Sequence, residues 1–66
     1  MRVVMERNNG YEVITSKERL TKSLYYLNKS VGTSPMKMAQ CGAVANNILN
    51  GKVSTFCDRA FIVEEV

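Results

Sequence analysis

The breaks in this chain constrain its fold more than any other feature. Asn9-Gly10, Gly32, Ser34-Pro35 and Asn50-Gly51 divide 66 residues into four short runs. Residues 2–15 hold two strand-like runs, RVVMER and YEVIT, around Asn9-Gly10. Asn-Gly is the strongest two-residue hairpin signal, because both central residues of a type I′ turn need positive φ. A turn there sets Arg7 opposite Glu12 and Met5 opposite Ile14, and the charge match supports that register.

The second run is helical in period. Thr15 and Glu18 form a T-x-x-E capping box, which predicts a helix starting at Thr15. Gly32 suits the C′ position that ends it. At 100° per residue, Leu20, Leu24, Leu27 and Val31 make one narrow apolar stripe. Arg19, Lys22, Tyr26 and Lys29 fall on nearly the opposite side. A second helix opens at Ser34-Pro35, serine as cap and proline in the first turn. Met38, Cys41, Val44, Ala45, Ile48 and Leu49 gather over about 140° of its surface. Ala39, Gly42 and Ala43 are small enough to let another element approach. Gln40, Asn46 and Asn47 are polar and uncharged. Gly42 costs about 1 kcal/mol against alanine and is a point where the helix can break. Asn50-Gly51 closes it.

The tail is β-branched and aromatic. Val53 to Cys57 and Ala60 to Val63 read as strand, with Asp58-Arg59 at a bend or hairpin tip. A lone hairpin is marginal in water, so a closing strand that joins the first hairpin is expected. The expected fold is α+β, one small domain over residues 1–66, in the order β-β-α-α-β.

Composition removes several function classes. The chain is 45% apolar, as a folded domain should be. A core this small supplies about 3–5 kcal/mol, so either the fold is very local or self-association, as a homodimer, completes the core. The longest uncharged stretch, Met38 to Gly51, is too polar to be a membrane span. No signal-peptide pattern opens the chain, which places the protein in the cytoplasm, its own or a host's. Cys41 and Cys57 are read as reduced thiols. With no histidine and no close cysteine pair, no zinc set can be assembled, and no metal or cofactor is expected. The usual general base near neutral pH is missing too. Cys41, the one plausible nucleophile, lies mid-helix among apolar neighbours, where thiols are inert. The glycines match neither a phosphate loop nor a dinucleotide motif. The chain reads as a non-enzyme.

Charge points to a partner. From Ser16 to Lys52 there are six basic residues (Lys17, Arg19, Lys22, Lys29, Lys37, Lys52) and one acid, Glu18. The positive field sits on the helical middle and calls for something anionic. If the helix pair is a helix–turn–helix, Gln40, Asn46 and Asn47 face base edges, while Arg19, Lys22, Lys29, Lys37 and Lys52 hold phosphates. Tyr26 then stacks on a base or sugar. The other reading is an αα-hairpin with polar outward faces, Tyr26 covering core with its hydroxyl in water.

Four pieces carry a resemblance: Tyr11 to Ile14, Val31-Gly32-Thr33-Ser34, Ile48 to Lys52, and Phe61 to Val63. In that order they resemble the nuclease-associated modular DNA-binding domains of phage and intron homing endonucleases. Those modules run from a strand through two helices to a closing strand, and the resemblance implies DNA binding. The sequence therefore suggests a small DNA-binding regulator, dimeric because one such unit buries too little surface for tight specific binding. The alternatives are a small phage-type inhibitor or adaptor that docks on an acidic protein surface and blocks a host enzyme, and a protein that sequesters a small anionic ligand at a subunit interface.

Overall fold

A computed structural model describes residues 2–32 and 34–64. The chain runs β1 (Arg2–Arg7), β2 (Gly10–Ile14), α1 (Lys17–Val31), α2 (Met38–Leu49), β3 (Thr55–Phe56) and β4 (Arg59–Glu64). The strands form one antiparallel sheet in the order β2-β1-β4-β3. The expected α+β architecture is the observed one, with β4 as the closing strand against β1 and β3 as a two-residue addition at its edge. No helix among the described residues is long and apolar enough to cross a membrane.

The helices cover one side of the sheet. The core joins Val3, Met5, Ile14 and Phe61 from the sheet to Leu20 and Leu24 of α1 and Cys41, Ala45 and Ile48 of α2. The inward positions obey strand alternation: Val3 and Met5 on β1, Phe61 and Val63 on β4. The other side of the sheet is uncovered. There Val4 pairs with both Val13 and Ile62, and these last two are half exposed.

Both hairpin tips sit one residue earlier than turn chemistry predicts. Arg7 pairs with Gly10, so Asn8-Asn9 makes the first turn in place of Asn9-Gly10. Met5 consequently faces Glu12, and Val3 faces Ile14. Each partner shifts by two positions, an even number, so every side chain keeps its face. The register sets Val3 and Ile14, both fully buried, against each other. Arg7 still reaches Glu12, diagonally, at 2.6 Å. At the other hairpin, Cys57-Asp58 forms the tip in place of Asp58-Arg59, with φ of 50° and 63°. Aspartate tolerates the left-handed region and cysteine rarely adopts it. The shift is again even, and Phe56 stays packed on the core.

The helix starts also move. Ser16 caps α1, accepting from the Arg19 N–H at 3.2 Å, where Thr15 was expected. Thr15 and Ser16 are equivalent caps chemically. The extra extended residue carries the chain from the sheet layer to the helix layer. Glu18 is then too early for a capping box and pairs instead with Lys22. Leu20 and Leu24 are fully buried and Leu27 half buried, but Val31 is half exposed. Asn28 occupies the buried place. Its Oδ1 accepts the Met36 N–H at 3.1 Å. An unmet donor there would cost about 1–3 kcal/mol, so the bond straps the interhelix connection to α1.

That strap explains the late start of α2. With Met36 held to Asn28, Ser34, Pro35 and Met36 stay outside the helix, and Ser34 does not cap it. Lys37 is the first flanking residue, and the Gln40 Oε1 accepts its N–H at 2.8 Å. Met38, expected in the core, is left 44% exposed in the first turn. Gly42 does not break the helix. A Cβ built there would have only the Thr21 Cγ2 near it, at 4.0 Å.

A candidate cationic interface

The four α1 candidates share one exposed side. Arg19, Lys22, Tyr26 and Lys29 all lie opposite Leu20 and Leu24. Tyr26 is 63% exposed, and its ring meets Tyr25 edge to face, centroids 5.5 Å apart at 80°. Tyr25 packs against the core. An exposed aromatic ring thus leans on an anchored one, which limits its motion.

The α2 candidates are differently placed. Gln40 is exposed, but its side-chain oxygen is engaged with Lys37. Asn46 is exposed. Asn47 is half buried, and its carbonyl accepts the N–H groups of Lys52 and Val53, closing the helix end. Lys37 and Lys52 are exposed and flank the two ends of α2. No cation lies within Met38–Leu49. Six residues, Gly32 to Lys37, separate the helices, more than the three- to four-residue turn of a DNA-binding helix–turn–helix. The cationic side therefore belongs to α1, not to α2.

Ion pairing sharpens the asymmetry. Arg2 pairs with Glu64, Arg7 with Glu12 and Lys22 with Glu18. Of nine basic residues these take three, which leaves Lys17, Arg19, Lys29, Lys37, Lys52 and Arg59 without an ion pair among the described residues. Of the described acids, Glu6 and Asp58 are left. The Lys22–Glu18 pair is open to water, where such pairs contribute about 0.2–1 kcal/mol and yield readily to a stronger anion.

A neighbouring feature was not visible in the sequence. A cleft of about 730 Å³ lies between α1 and the first hairpin tip. Ser23, Tyr26, Leu27 and Ser30 form its helical wall, Asn8 and Asn9 its far rim, and Arg7, Arg59 and the acid Glu6 its charged groups. Tyr26 belongs to both the cleft and the cationic side.

The buried Cys41 thiol is pushed above its ordinary pKa, by burial first and by the nearby Cys57 second. It takes no part in either surface. Both cysteines are free thiols. No group of residues that could hold a metal ion is present among the described residues. No family model, curated protein or solved structure matches the chain.

Proposed function

We propose that this protein is a small DNA-binding regulator without catalytic function. The exposed side of α1 makes the contact, through Arg19, Lys22 and Lys29 to phosphates and Tyr26 to a base or sugar. One observation carries the reading: these four side chains share one solvent-facing surface, and among the described residues six basic groups but only two acids lack an ion pair. Lys37 and Lys52 extend the field to the ends of α2, where Asn46 supplies an exposed amide able to meet a base edge. Gln40 has its side-chain oxygen engaged with Lys37 and Asn47 is half buried, so both add little. This reading moves the main contact from the second helix to the first, and it accords with the resemblance to nuclease-associated modular DNA-binding domains. A monomer offers few contacts, so a pair of copies on one duplex is part of the proposal.

The test is fluorescence anisotropy with labelled duplex over a range of salt. Three phosphate contacts per protein give log K against log salt a slope near −2.7, from about −0.9 for each. Replacing Arg19, Lys22 and Lys29 with alanine is expected to abolish most of that slope and weaken binding at low salt by at least roughly tenfold. Tyr26→Leu is expected to weaken binding while leaving the slope unchanged. A nuclease-resistant protein partner, together with no DNA binding at low salt, would replace this reading with the inhibitor one.

A further inference from the structure

The helix-facing side of the sheet changes character along its length. On β1 the inward positions run Val3, Met5, Arg7; on β4, read backwards, they run Val63, Phe61, Arg59. Val3 pairs with Val63 and Met5 with Phe61. Continuing that register brings Arg7 and Arg59 opposite each other, at the end of the sheet that α1 roofs with Ser23, Tyr26, Leu27 and Ser30. Two guanidinium groups thus follow an apolar floor into one cleft.

Their charges are unequally met. Arg7 is paired with Glu12 at 2.6 Å. Arg59 is half buried and has neither an ion pair nor a side-chain hydrogen bond among the described residues. Withdrawing a cation from water without a counterion is costly. Two acids remain at this end: Glu6 is exposed at the rim and alternates toward the other side of the sheet, and Asp58 is exposed at the hairpin tip with no ion pair to Arg59 among the described residues. An anion bound between the arginines would supply what Arg59 lacks, and a guanidinium fork matches the oxygens of phosphate.

The rest of the cleft selects what the anion is attached to. Its volume lies within the range of small-molecule sites, roughly 300–1,000 Å³. The lining is mostly polar, with two asparagine amides and two serine hydroxyls able to bond to a sugar or a ring edge. Tyr26, braced by Tyr25, presents an aromatic surface at its wall. A phosphate site, hydroxyl and amide partners, and one aromatic surface match the three parts of a nucleotide.

We propose that this cleft binds a phosphorylated nucleoside, with its phosphate between Arg59 and Arg7 and its base on the Tyr26 ring. The ligand is either a free mononucleotide or the phosphorylated end of a nucleic-acid strand. The proposal goes beyond the α1 interface and shares only Tyr26 with it; Arg7 and Arg59 are not part of that surface, so substituting Arg59 tests the cleft alone.

The experiment titrates AMP, inorganic phosphate, and two single-stranded oligonucleotides of one sequence, one bearing a 5′-phosphate and one a 5′-hydroxyl. Binding is read by amide chemical shifts. AMP is expected to saturate, moving the amides of Asn8, Asn9, Ser23, Tyr26, Ser30 and Arg59, and phosphate to move a subset of them more weakly. Arg59→Gln is expected to weaken AMP at least roughly tenfold without lowering the melting temperature of the free protein, and Arg59→Lys to restore part of the loss. AMP binding with equal affinity for both oligonucleotides identifies the free nucleotide as the ligand. Preference for the 5′-phosphate strand, lost in Arg59→Gln, identifies a strand end. If neither AMP nor the 5′-phosphate shifts these amides, or if Arg59→Gln binds AMP as tightly as the original, the cleft proposal fails. Salt-dependent duplex binding through Arg19, Lys22 and Lys29 would be untouched by that failure. The triple alanine variant binding AMP normally would separate the two sites from the other direction.

Discussion

Single residues in this protein do jobs that their type does not announce. Asn28 takes a buried place beside the leucines of α1 because the Met36 N–H needs an acceptor there. Cys41 is fully buried between the helices and the sheet, and its thiol resists ionisation, mainly through desolvation. That has a consequence for stability with a definite sign. In the unfolded chain the thiol ionises near its ordinary value of 9.0, while in the fold it stays protonated to higher pH. The stabilisation is therefore complete below pH 9 and is lost as pH rises toward the folded value. Urea midpoints measured from pH 7 to pH 10.5 are expected to fall more steeply for the original protein than for Cys41→Ala. Parallel curves would show that the thiol ionises as easily in the fold as outside it. Residue by residue, the legible part of the candidate site was the part set by one helix. Arg19, Lys22, Tyr26 and Lys29 share a side because a period of 3.6 places them there. Arg59 was not legible. Its inward position follows from strand alternation, but its meeting with Arg7 depends on β4 lying beside β1, and no local pattern states which strands are neighbours.

At the scale of elements, the same division appears between what a segment decides for itself and what its neighbours decide. The existence and order of the elements were readable from period and punctuation. Their ends were not. Asn9-Gly10 is the better turn chemically, yet the tip moves to Asn8-Asn9, and Val3 meets Ile14. Ser34-Pro35 is the better helix start, yet α2 waits until Met38 because Asn28 holds Met36. In each case the local preference is worth about a kilocalorie and the packing it yields to is worth more. Gly42 is the converse, a local cost that packing does not demand. A methyl group there would meet only Thr21 Cγ2, at ordinary contact distance, and its backbone is helical. Gly42→Ala is expected to stabilise the fold by about 0.5–1 kcal/mol, through helix propensity alone. The check is the urea midpoint at constant m-value. A destabilised variant would mean that the two helices approach more closely at Gly42 than 4.0 Å allows.

Taken as a whole, the molecule separates its apolar and cationic surfaces. One side of the sheet is covered by helices, the other leaves Val13 and Ile62 half exposed, and the cations concentrate on and beside the helices. Six unpaired basic groups among the described residues face two unpaired acids, so the folded state carries self-repulsion that unfolding relieves by separating the charges. Salt screens that repulsion within a Debye length, about 10 Å at 0.1 M. The free protein should therefore become more stable as salt is added, whereas its binding to DNA should become weaker, because salt competes for the same groups. Raising sodium chloride from about 20 to 300 mM is expected to lift the melting temperature by roughly 2–4 °C, equivalent to about half a kilocalorie for a domain of this size. Saturating duplex at low salt should produce a rise of its own, which shrinks as salt increases. The two curves cross in opposite senses only if the same cations both burden the free fold and hold the ligand. If added salt leaves the free protein unchanged or lowers its melting point, the excess positive charge is too dispersed to repel itself, and too dispersed to gather a polyanion on α1.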